Sequence, residues 1–96
     1  MDSGRRFYDP QGQLDPELVE VWAETFYQGL MKMMNGFYGR ADMAEVLASM
    51  QKVPFNQLTA RELEGEATEV IELALEYVNA IAAREIEYLQ AYLGKL

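Results

Sequence analysis

The sequence predicts an all-α fold, an elongated bundle of three helices that pairs with a second copy of itself, and three observations carry that expectation. Apolar residues recur at helical spacing over about 16–35, 42–51 and 60–93. Each stretch has capping chemistry at its start, and a glycine or proline closes it. Nowhere do apolar and polar residues alternate as in a half-buried strand, and there is no internal repeat or low-complexity segment. Ninety-six residues suit one domain. The expected division is a flexible or partly docked N-terminal arm over 1–14 and a single helical domain over 15–96.

The arm carries Gly4, Pro10 and Gly12 among polar residues, a loop composition. Phe7 and Tyr8 are its exceptions, and they either fold back onto the helices or dock elsewhere. Leu14-Asp15-Pro16-Glu17 then opens the first helix, with Asp15 as the cap and Pro16 at the first helical position. A narrow polar line through Glu17, Glu20, Glu24, Gln28 and Lys32 leaves more than half of this helix apolar. Gly36 is the expected left-handed terminator.

Asp42 and Glu45 resemble a second capping box, opening a short helix in which Met43, Val46, Leu47 and Met50 share a face. Val53-Pro54 ends it, because the residue before proline is pushed out of helical geometry. The third helix is expected to start at Thr59. Its hydroxyl would accept from the amide of Glu62 while the Glu62 carboxylate reaches back, and Leu58 and Leu63 would close a staple over the cap. Gly94 is its expected left-handed end, with Lys95 beside the negative pole of the dipole. At 1.5 Å per residue this helix would measure roughly 50 Å. A compact chain of this length has a radius of gyration of only about 13 Å, so the rod overhangs and implies an elongated molecule or a second chain.

The long helix carries the candidate interface. Ile71, Leu75, Val78, Ala82, Ile86, Leu89 and Leu93 follow one another at steps of three and four, the period of a nearly straight helix. Glu85 and Arg84 interrupt the apolar side, and both are expected to meet opposite charges across a subunit boundary. A second stripe runs through Leu63, Ala67, Val70, Ala74, Tyr77, Ile81, Tyr88 and Tyr92, and a line of glutamates, including Glu62, Glu66, Glu69, Glu72 and Glu76, is expected to be solvated.

Composition removes whole classes of chemistry. The chain has no histidine, hence no Ser-His-acid catalysis and no Glu-x-x-His metal pairs. It has no cysteine, hence no disulfide framework or thiolate chemistry. The net charge of −8 repels nucleic-acid backbones and anionic lipid. Neither a signal-like run nor a transmembrane span is apparent, so the expected location is cytoplasmic. No cofactor, metal site or catalytic residue is expected, the glutamate ladder reading as a solvated face and the cluster Met31, Met33 and Met34 as core filler.

Three functional readings remain. The first is a non-catalytic homodimeric interaction protein with a protein partner, serving as an adaptor, assembly factor or small accessory subunit. The second is an amphipathic protein that binds a hydrophobic surface, as polyester-granule phasins and the accessory subunits of polyester synthases do. The third is a small enzyme or carrier of an apolar ligand, for which Glu85 is the candidate carboxylate.

Overall fold

The structure, a computed structural model, describes residues 6–38 and 43–95. Among these the chain forms four helices: α1 (Pro16–Tyr38), α2 (Met43–Lys52), α3 (Phe55–Glu62) and α4 (Thr68–Gly94). The all-helical class agrees with the sequence, but the count of three does not, because the stretch expected as one rod is broken between α3 and α4. Gly65 sits in the break at φ +96°, a left-handed conformation that costs little only for glycine. Continuing the helix would have stacked the like charges of Glu62 and Glu66 one turn apart. Breaking it turns Leu63 fully into the core.

Thr59 is therefore not a cap. It lies inside α3, fully buried, and its hydroxyl has no hydrogen-bond partner among the described residues. The glycine terminators also differ from expectation. Gly36 lies within α1, and α4 runs through Gly94 with Lys95 still in the right-handed region at φ −88°. The start of α1 is as expected: Pro16 is its first residue, and the Asp15 carboxylate accepts from the Glu17 amide at 3.0 Å. Pro54 separates α2 from α3, as the pre-proline restriction requires. The expected cap at Asp42 and the turn through Gly39 and Arg40 lie outside the described residues.

Ahead of α1 the arm folds back as a hairpin. The Asp9 carbonyl accepts from the Gly12 amide at 2.9 Å, the Asp9 amide donates to the Gln13 carbonyl at 2.8 Å, and Gly12 takes φ +83°. A three-residue loop closed by a left-handed glycine is a favoured hairpin connection, and Pro10 presets its first residue. Phe7 is thereby carried into the core at 3% exposure, edge-on to Trp22. Arg6 covers the Phe7 ring and pairs with Glu66 at 3.0 Å, while the Tyr8 hydroxyl donates to Glu69 at 2.9 Å. Glu66, expected on a solvated line, thus has a side chain only 5% exposed.

Helix α4 packs against each of the other three. Val19 shares one core cluster with Val70 and Ala74, whereas Ala23 and Tyr27 share the other with Val78, Ala82 and Leu89, so α1 runs parallel to α4. On the other flank Leu63 joins Val70 and Ala74, and Asn79 donates to Asn56 at 2.8 Å, so α3 runs antiparallel. Trp22 and Tyr77 touch both clusters and join them. The result is a long, thin body, 51 × 24 × 17 Å, with a radius of gyration of 15.4 Å.

Candidate interaction surface

The nine residues expected at an interface divide into three groups. Val78, Ala82 and Leu89 are at most 7% exposed and belong to the core of the single chain, packed with residues of α1, α2 and α3. Ile71, Leu75, Ile86 and Leu93 are half-buried. Arg84 and Glu85 are exposed. The apolar stripe is thus largely spent on folding the chain, because the broken third helix returns Leu63, Thr59 and Phe55 along α4 and covers it.

Where α1 and α2 both lie against α4, a groove of about 900 Å³ opens between them. Helix α2 supplies an apolar wall through Met43, Val46 and Met50, and Ile81 and Leu89 come from α4. The polar residues are Glu24, Gln28 and Lys32, one turn apart on α1, and Arg84 and Glu85 on α4. Two cations and two carboxylates balance, so the groove has no net preference for an ion.

Tyr27 lies in the same groove at 5% exposure, its ring stacked on Phe55 with centroids 5.8 Å apart. Its hydroxyl has no hydrogen-bond partner among the described residues. Burial, and then the negative charge of Glu85, push the phenol up to about 12. Tyr27 therefore stays neutral at physiological pH. Glu85, the carboxylate a catalytic reading would use, stands exposed beside it and not in an enclosed pocket.

Beyond the groove, the last turns of α4 carry a feature that stripe counting passed over. Tyr88 and Tyr92 are 66% and 43% exposed, and with Arg84 they are spaced by four residues, so the three form one row along the helix. No carboxylate among the described residues pairs with Arg84. Both tyrosines lie on the second apolar stripe, yet their exposure sets them apart from the buried Val70 and Ala74 on the same side of the helix. The charge distribution is the sequence signal that marks this end. Residues 80–96 carry Arg84 and Lys95 against Glu85 and Glu87, so the whole net charge of −8 lies on residues 1–79.

Among the described residues there is no group of three or more metal-ligating side chains, and no helix is long and apolar enough to cross a membrane. Comparison of the chain with protein-family models, curated proteins and solved structures finds no match.

Proposed function

We propose that this chain is a non-catalytic interaction protein that works as a homodimer. The observation that carries the reading is the exposed row of Arg84, Tyr88 and Tyr92 on the charge-balanced last turns of α4, in a chain whose net charge is −8. Tyrosine and arginine are the side chains that most often anchor protein contacts, since each brings a large contact area together with a polar group. Two copies approaching through residues 15–28 or 62–79, which carry net charges of −4 and −6, would bring negative charge against negative charge. In the dimer the groove between α1 and α2 stays available, and its apolar α2 wall and balanced polar residues suit a segment of a protein partner.

Light scattering over a dilution series tests the reading. The expected mass is twice the 11.0 kDa of the chain. A mass of 11.0 kDa that persists at high concentration would overturn it; the exposed tyrosines would then serve another surface, and migration of that monomer onto oil droplets would favour a coat on a hydrophobic body.

A further inference from the structure

We infer that the groove between α1 and α2 binds a small, largely apolar molecule that carries one uncharged hydrogen-bond-accepting oxygen, as in a ketone, ester or alcohol, held by the hydroxyl of Tyr27. The inference goes beyond the homodimer reading and does not depend on it, since every residue it uses lies within one chain.

The groove is layered. Tyr27, Met50 and Leu89 are buried at its floor, and Met31, Val46 and Ile81 stand half-buried around them. The charged residues and Gln28 are exposed and form the rim. An apolar interior of about 900 Å³ with few polar groups inside it is the build of a small-molecule site. Among those six interior side chains only Tyr27 carries a hydrogen-bond donor, and that donor bonds to nothing among the described residues. A buried donor left unpaired costs free energy, and an occupant that accepts from it removes the cost. Thr59 also buries an unpartnered hydroxyl, but it does not line the groove.

The charges select an uncharged occupant. Of the groove's charged residues, Glu85 is the one whose charge acts on the Tyr27 phenol. A carboxylate set against that hydroxyl would meet the repulsion of Glu85. An ammonium group would be attracted, but it would have to shed its water to reach a buried oxygen. A ketone, ester or alcohol oxygen meets neither cost. Burial also selects a slender occupant. A helix of a protein partner resting on the rim does not reach the phenol oxygen, whereas a narrow chain does by displacing Met31 or Met50, whose unbranched side chains repack readily.

Methyl-labelled methionine reads the site directly by NMR. Met31, Met43 and Met50 line the groove, whereas Met33 is exposed outside it. Titration of the full chain with methyl heptyl ketone should shift the groove methyl signals saturably and leave Met33 in place. Octanoate, which replaces the methyl group of the ketone by a charged oxygen and keeps the rest, should bind several-fold more weakly, and so should octylammonium. Groove methyls that do not move, or a Met33 signal that moves with them, would overturn the site. Either charged probe binding as tightly as the ketone would overturn the uncharged class. These comparisons use the parent chain and depend on no variant. Tyr27→Phe then keeps the ring and removes the donor, so ketone binding should weaken roughly three- to tenfold, the worth of one hydrogen bond. Unchanged binding by that variant would contradict the role of the hydroxyl.

Discussion

Thr59 and Tyr27 both bury a hydroxyl that bonds to nothing among the described residues. An unpaired buried polar group costs about 1–3 kcal/mol, so removing it without changing shape should be neutral or favourable. Thr59→Val is therefore expected to hold or raise the unfolding free energy, by up to about 1 kcal/mol in a urea titration. Had Thr59 been a helix cap, the same change would lose about 1 kcal/mol, and that loss would contradict the structure. Tyr27 makes a pH-dependent counterpart. Its folded pKa of about 12 lies above the unfolded value of 10.0. The stabilisation is therefore complete below pH 10, where both states hold the proton, and fades as pH climbs from about 10 to about 12, where only the folded state still does. Tyr27→Phe should lose less stability over that window than the parent chain, and equal slopes would mean that the phenol is not held neutral. These hydroxyls were beyond sequence reasoning, since Thr59 followed by Glu62 satisfies the capping pattern equally well whether the threonine precedes a helix or sits within one.

The helices show which signals are local. Asp15-Pro16 and Val53-Pro54 act on the backbone immediately beside them, and the structure holds both boundaries where those residues put them. The break at Gly65 depends on a competition that pattern counting does not see. A continuous helix from Ala60 keeps more backbone hydrogen bonds, but breaking it lets Leu63 join Val19, Val70 and Ala74 and returns α3 along α4. Gly65→Ala forces a side chain into the left-handed region and should cost about 1–2 kcal/mol in thermal or urea unfolding; a gain in stability would favour the continuous rod. The hairpin is a second case. Asp9, Pro10 and Gly12 spell a turn, but the ion pair of Arg6 with Glu66 spans sixty residues, and no local pattern links them. The hairpin's anchor is Phe7, and Phe7→Ala should destabilise the fold by roughly 3 kcal/mol, the usual cost of emptying a buried aromatic site. A change below about 1 kcal/mol would show that the arm is not part of the core.

At the scale of the molecule, the elongated all-helical body was readable because helical periodicity and the missing strand signal are properties of whole stretches. The contact surface was only half readable. Counting apolar residues on α4 could not tell those that cover the chain's own helices, Val78, Ala82 and Leu89, from those left outside. Arg84 and Glu85 stood out in sequence because charges on an apolar side need an explanation, and both are exposed on the body of the fold. Tyr88 and Tyr92 did not stand out, since tyrosine serves equally well in a core and at a contact. The central claim is that the charge-balanced end of α4 joins two copies, and sedimentation equilibrium of Tyr88→Glu beside Val21→Glu tests it most directly. Both positions are more than 60% exposed and both changes add one negative charge, but only Tyr88 lies in the row. The account predicts a monomer for Tyr88→Glu and a dimer for Val21→Glu; two dimers, or a monomer only for Val21→Glu, would contradict it.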